Sequence, residues 1–401
     1  MLEDCAKLWW DDITGPATYV RMIVDNLAEA KSVILIVPED IPWHNQMYSS
    51  TSQAMREYDP ELLLEFIDCQ DENFSDSTGK TNIPFYLLDH YAYPDVKNGY
   101  RQSSGQSIQQ YLVSKKVLLN RIIWVTNASA EQASEWIQFC REYRAKKRYD
   151  GLFVIETTES VFNYGVRAGS NMLNYNEFTT YYDTLLFNNI VCSKQTGSME
   201  WLQYKATALA LICNYDAELS GYMLNMCDFK AQSPIDALRN MIDDSLYTQR
   251  YDVSRLSKEH PISVICSNEI NPLNHALWKA QLQVIFPMIE AERIQIIERY
   301  RDEIEEAVKT EYFDFNRYIN RYVTQYGERL ESAFDAEVGT LYRMNHLRRA
   351  SDTSLYLFFL PNEDDRVRLA LLHDMRNSIA HVEPCSVELV DQFFAQYPYK
   401  W

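Results

Sequence analysis

Hydrophobic positions in residues 1–200 alternate between two periods. Ala17 to Ala30 carries apolar side chains at helical spacing and runs into Ser32-Val-Ile-Leu-Ile-Val37, a continuous apolar stretch of the kind that forms a strand buried on both faces. Leu62–Ile67, Arg121–Val125, Gly151–Ile155 and Thr184–Phe187 repeat that character, and Ala130 to Arg148 reads as a helix between Arg121–Val125 and Gly151–Ile155. Strands separated by helices predict an α/β domain with a mostly parallel sheet and crossover connections.

Beyond residue 198 the period is helical. Met199 to Asn214 is one segment, and Ser233-Pro-Ile-Asp236 opens another with a capping serine, proline at the first position and an acid in the first turn. Lys258-Glu-His-Pro261 marks a turn. From Asn271 the pattern predicts a bundle, with Trp278, Leu282, Ile285, Ile289, Ile296 and Tyr300 on one apolar face and Pro287 predicting a kink or break. Arg299 to Glu306 reads as a solvated charged face, and Tyr312 to Tyr326 continues with aromatics at helical spacing. Gly339, in Glu337-Val-Gly-Thr-Leu341, breaks or begins a further helix. The expected organisation is an α/β domain over 1–198, a helical subdomain or linker over 199–270, and an all-α bundle over 271–401.

The last strong helical pattern runs from Asp364 to His381. Val367, Leu371, Met375 and Ile379 recur every four residues as a buried stripe, Asp364 and Asp365 suit the positive end of the helix dipole, and Pro384 ends the helix near His381. Arg376 and Asn377 lie off that stripe, so a guanidinium, an amide and an imidazole gather at one helix end. The same Arg-to-His spacing occurs at Arg255–His260 and Arg368–His373, but only Arg376 is followed by Asn.

Arg376, Asn377 and His381 resemble the motif of the HEPN family, small helical bundles found in prokaryotic toxins and antiviral ribonucleases, and the likeness extends loosely over residues 270–401. It implies metal-independent RNA cleavage, in which the ribose 2′-OH attacks the adjacent phosphate, the bond to the 5′ oxygen breaks, and a 2′,3′-cyclic phosphate and a 5′-OH are left. His381 would move the proton, Arg376 would hold the phosphate oxygens and Asn377 would orient the phosphate or the imidazole. The implied cofactors and metals are none. The implied partners are RNA and a second copy of the chain, or a larger complex with defence-system proteins. The alternative is an ordinary capped helix end, with His381 meeting a carbonyl and Arg376 an acid such as Asp374.

Gly15-Pro16, a helix and then the apolar run Val33–Val37 resemble the entry to a P-loop ATPase core of the STAND type, in architecture and not in motif. Pro38-Glu39-Asp40-Ile-Pro42 stands where a glycine-rich phosphate loop belongs, and its acids and prolines would repel phosphate and remove amide donors. Gly79-Lys80-Thr81 has Phe74 in place of the leading glycine, and Ile122-Ile-Trp-Val-Thr-Asn127 lacks the acid pair that holds Mg²⁺. The expectation is a degenerate ATPase-like domain acting as scaffold or sensor. A non-catalytic subunit of a defence complex is therefore the second functional reading of the whole chain.

Composition bounds these readings. The 401 residues are 46% hydrophobic with formal net charge −19, which suits a globular protein of several domains and opposes broad nucleic-acid binding, though not a local site. Between Tyr342 and His381 six arginines face five acids, a near-neutral balance. Arg141, Arg144 and Lys146-Lys-Arg148 form one basic cluster, read as cations complementing a helix C-terminus or as a nucleic-acid contact. No apolar run approaches 18 residues, the first residues lack a signal-peptide pattern, and the eight cysteines form no Cys-x-x-Cys pair. A cytoplasmic protein with reduced thiols and no membrane contact is expected.

Overall fold

The computed structural model describes residues 2–70, 74, 82–100, 105–143, 150–158, 171–243, 253–254, 256–324 and 326–401. Gly79-Lys80-Thr81, Arg144, Lys146-Lys147-Arg148 and Arg255 lie outside the described residues. The chain forms two compact units, 1–187 with 215–219, and 188–214 with 220–401.

The first unit is built on five parallel strands, β1 (Val33–Ile36), β2 (Leu63–Asp68), β3 (Arg121–Thr126), β4 (Leu152–Thr157) and β5 (Asn171–Asn174), in the order β2-β3-β4-β1-β5. The apolar runs forecast four of these. β1 and β4 are buried along their whole length, which is why they read as unbroken hydrophobic stretches. Helix α1 (Thr14–Ala28) leads into β1, while α2 (His44–Tyr58) and α3 (Ala130–Tyr143) lie in the crossovers from β1 to β2 and from β3 to β4. Against Phe153 of β4, Trp136 of α3 packs tilted and Phe139 edge-on. Aromatic packing of this kind adds about 0.5–1.5 kcal/mol per pair beyond area burial.

One predicted strand is a helix. Thr184–Phe187 falls inside α4 (Tyr181–Cys192), and the fifth strand is Asn171–Asn174 instead. A four-residue apolar run does not distinguish strand from buried helix. The deciding signal is Asp183, whose carboxylate accepts from Thr180 N at 2.8 Å and Gly15 N at 3.0 Å and so fixes the helix start. Gly15 has no room for a side chain, because an added Cβ would lie 2.4 Å from the Phe178 carbonyl oxygen.

The second unit is mainly helical. It contains α5 (Met199–Cys213), α6 (Pro234–Asp243), α7 (Asn271–Arg299), α8 (Val338–Met344), α9 (Glu363–Ala380) and α10 (Val387–Gln396). Ser233 caps α6 as its sequence predicts, accepting from Asp236 N at 3.0 Å. Pro287 does not interrupt α7, which runs 29 residues through it. Pro287 and Gln283, whose carbonyl the ring displaces, both lie on the exposed side, while Val284, Ile285 and Ile289 hold the buried side.

The all-α expectation for 271–401 needs a second correction. Tyr312–Tyr326 is not helical: β6 (Tyr312–Asp314) and β7 (Arg317–Ile319) form an antiparallel hairpin, and β8 (Arg348–Arg349) pairs with β6 on its other side. Phe315 and Asn316 form its two-residue turn with φ of 51° and 64°, the left-handed pair that two-residue hairpins require. The aromatics serve a period of two. Tyr312 and Tyr322 are buried and stacked at 5.6 Å, while Phe315 and Tyr318 are exposed.

Candidate functional site

Helix α9 carries the motif. Asn362 caps its start, accepting from Asp364 N at 3.0 Å, with three acids in the first turn. His381 is the C-cap, its N–H bonded to Asn377 O at 3.0 Å, and Val382 follows in a left-handed conformation with φ 63°. A β-branched residue there is strained. The turn is held from outside by fully buried Gln281 of α7, which accepts from Cys385 N at 2.6 Å and donates to Cys385 O at 3.2 Å. Trp278 of α7 adds a bond from its indole N–H to Ile379 O at 2.7 Å. The helix end that bears the motif is thus fixed by three hydrogen bonds from two side chains of the neighbouring helix.

The buried face of α9 differs from the predicted stripe. Leu371, Met375 and Ile379 are buried, but Val367 is 59% exposed, and Asp365, Arg368, Leu369 and Leu372 complete the face. Arg368 is fully buried and forked onto Glu292 of α7, Nε to Oε2 at 2.9 Å and Nη2 to Oε1 at 2.5 Å, with Nη1 on Phe393 O at 3.1 Å. Asp365 accepts from the phenols of Tyr300 at 3.1 Å and Tyr399 at 2.8 Å. Apolar periodicity is blind to such positions, because each charge is buried only by virtue of its partner. Arg368 and His373 therefore form no site with each other.

Arg376, Asn377 and His381 are all reachable from solvent, and each has a different neighbour. Arg376 Nη2 meets Glu337 Oε2, at the start of α8, at 2.5 Å. Its acid is thus not Asp374, which instead accepts from His373 Nδ1 at 3.1 Å. Asn377 Nδ2 donates to His373 Nε2 at 3.0 Å, so neutral His373 carries its proton on Nδ1. The His373 ring stacks on Tyr342 of α8 at 4.1 Å and 15°. His381 is exposed, and its ring makes no hydrogen bond among the described residues. Asn377 and His381, four apart, share a helix face, while the amide itself is engaged by the residue one turn earlier.

The helix end thus carries one guanidinium paired with Glu337, one amide bonded to His373 and one unengaged imidazole. Nearby Cys385 supplies no nucleophile, because burial pushes its thiol up to about 12. Sequence reasoning named His373 but not its bond to Asn377, and missed Glu337 and Tyr342. The pairing of Glu337 and Tyr342 with α9 is a tertiary contact between helices, and only the spacing of His373 and Asn377, four residues apart, was visible in advance.

A second polar cluster lies in the first unit, at the C-terminal end of β4. Glu156 is 4% exposed and accepts from Trp124 Nε1 at 2.8 Å, Tyr48 OH at 3.0 Å and His44 Nε2 at 3.1 Å. Burial, then the neighbouring Glu156 charge, raises the Tyr48 phenol far above its ordinary range. The clue in the sequence is a lone acid in the otherwise apolar strand Leu-Phe-Val-Ile-Glu-Thr. Before α2, Trp43 N donates to the Glu218 carboxylate, so an internal acid sits at that helix start. No family model matches the chain, and no curated protein matches it.

Proposed function

We propose that the chain is a HEPN-type, metal-independent endoribonuclease, acting in defence as a regulated toxin or antiviral effector. The observation that carries this reading is the solvent-accessible end of α9, where Arg376, Asn377 and an unengaged His381 ring lie on one helix terminus pinned by α7. His381 exchanges the proton between ribose 2′-OH and solvent or leaving group. Arg376 offers its fork to the phosphate oxygens, leaving Glu337 to do so. Asn377 orients the phosphate. Two copies meeting through the helical unit would set two such helix ends opposite each other, as the family resemblance implies.

In the same reading the first unit is a degenerate ATPase-like domain that regulates. Three features support it. The sheet is parallel with helices between its strands, the general layout that such a domain would need. Pro38-Glu39-Asp40 follows β1 in place of a phosphate loop, and the Glu218 carboxylate takes the helix-start position that a bound phosphate would use. A non-catalytic scaffold in a defence complex is the second reading, and the Arg376–Glu337 ion pair favours it, since it already neutralises the guanidinium.

The test is RNA cleavage in the presence of chelator, comparing the wild type with His381→Ala. Metal-free cleavage that disappears in the variant supports the nuclease. Equal cleavage in both, or a requirement for Mg²⁺, overturns it in favour of the scaffold. Among the described residues no helix is long and apolar enough to cross a membrane.

A further inference from the structure

The β6–β7 hairpin and the segment after α8 enclose an open groove of about 680 Å³, lined in part by Phe313, Phe315, Asn316, Arg343, His346 and Arg348. Phe315 at the hairpin tip is 95% exposed and has φ 51°. A large aromatic ring is disfavoured there twice. It exposes apolar surface, and it puts a bulky residue where glycine or asparagine fits the turn. Such a residue persists when something other than the fold uses it.

The groove's polar chemistry is as specific. Two guanidiniums, Arg343 and Arg348, face one carboxylate, Asp314, which pairs with Arg343. On a chain of net charge −19 this is a local cationic balance. Arg348 lies flat over the Tyr356 ring at 3.5 Å and donates to Ser354 O at 3.1 Å, so its plane is already ordered. His346 Nδ1 meets the Tyr342 carbonyl at 2.8 Å. A carbonyl only accepts, so neutral His346 carries its proton on Nδ1 and leaves Nε2 to accept from a ribose hydroxyl or base N–H.

The groove also leads somewhere. The His346 and Tyr342 rings lie 4.5 Å apart, Tyr342 stacks on His373 at 4.1 Å, and His373 Nε2 accepts from Asn377 at 3.0 Å. Two ring contacts, one tilted and one stacked, and a hydrogen bond thus join the groove to the motif helix. Resting on the nuclease reading for its destination, we infer that this groove binds single-stranded RNA, stacking an unpaired base on Phe315, holding the backbone with Arg343 and Arg348, and leading the strand along Tyr342 to Arg376 and His381. Exposed aromatic platforms interleaved with arginines take unpaired bases, which a duplex keeps stacked inside.

The experiment uses the full chain carrying His381→Ala, with chelator, and reads fluorescence anisotropy of a labelled single-stranded RNA of about 12 nucleotides, within the site sizes such surfaces span. Phe315→Ala should weaken binding about 5- to 100-fold, the scale of one lost base stack. Arg348→Ala should weaken it and flatten its salt dependence. An RNA duplex should compete poorly. Phe315 is exposed at a turn, so its variant keeps the parental melting temperature and any loss of binding is local. Parental affinity in both variants, absence of binding by the parent, or equal competition by duplex overturns the groove. Cleavage by the otherwise wild-type chain separates the two ideas. Groove variants that bind weakly while His381→Ala still cleaves sink the nuclease and keep the groove. Normal binding in the groove variants with cleavage lost in His381→Ala does the reverse.

Discussion

Arg376 and Glu337 are joined end to end, Nη2 to Oε2 at 2.5 Å, between the C-terminal part of α9 and the N-cap residue of α8. The pair is partly exposed, 28% and 66% for the two side chains, so it contributes little to stability, about 0–1 kcal/mol. Its effect falls on the site. While the pair holds, the guanidinium is not free for phosphate. Glu337→Gln should therefore raise RNA cleavage about 2–5-fold and leave the melting temperature nearly unchanged. A fall in cleavage would mean that Glu337 positions Arg376 productively.

Arg368 and Glu292 behave oppositely, because both are buried. Arg368→Met should destabilise the protein by about 3–5 kcal/mol, since it strands the Glu292 carboxylate without its cation. The double variant Arg368→Met with Glu292→Leu should recover much of that loss, as an apolar pair needs no desolvation of charge. Thermal melts of the three proteins check this. A single variant as stable as the wild type would show that the carboxylate is solvated or protonated there.

These two pairs show what was legible in the sequence. Strands buried on both faces announce themselves, so β1, β3 and β4 were readable as apolar runs, β2 was readable from its apolar residues although much of it is exposed, and α9 ends at His381 where Pro384 and the lost periodicity put it. Val367 misled because its every-fourth spacing counts apolar residues only, whereas Arg368 and Asp365 are buried as hydrogen-bonded ions. The hairpin at Phe315-Asn316 was masked by aromatics whose spacing fits a helix as well as a period of two, and Asn316 was the turn signal. The candidate motif was visible as residue types in order. Its partners Glu337 and Tyr342 come from a different helix, and local spacing carries no record of that contact.

Acid should loosen one turn of the second unit before the rest. The Asp335 carboxylate accepts from Ser332 N at 2.8 Å and Glu331 N at 2.9 Å, which holds its pKa below the ordinary aspartate range. Glu305 is lowered likewise, chiefly by accepting from Ala333 N at 2.9 Å. A depressed carboxylate pKa contributes stability that is present above the unfolded-state value and is lost as pH falls through the folded one. Exchange protection of the Ser332 and Ala333 amides should thus be constant from neutral pH down to about 5 and decline below about 4, once intrinsic rates are corrected. Protection that stays level through pH 3 would exclude these carboxylates as the acceptors.

The chemistry of α9 is tested by separating loss of function from loss of fold. His381 is exposed at the helix end, so His381→Ala should keep the parental melting temperature and reduce cleavage about 10²–10⁴-fold, the usual contribution of a general acid–base group. Arg376→Lys should also fail, because an ammonium cannot present two parallel N–H groups to a phosphate, yet its fold should survive with the weak Glu337 pair intact. Met375 is fully buried on the core face of α9, so Met375→Asp places a charge in the core and should unfold the helical unit. His373 provides the internal control. It is bonded to Asp374 and Asn377 and stacked on Tyr342, so His373→Gln should lower cleavage only through Asn377 and leave the pH profile of the residual activity governed by His381. If instead the acid limb of that profile moves in His373→Gln and stays in place in His381→Asn, the proton is carried by His373, and the assignment of His381 is wrong.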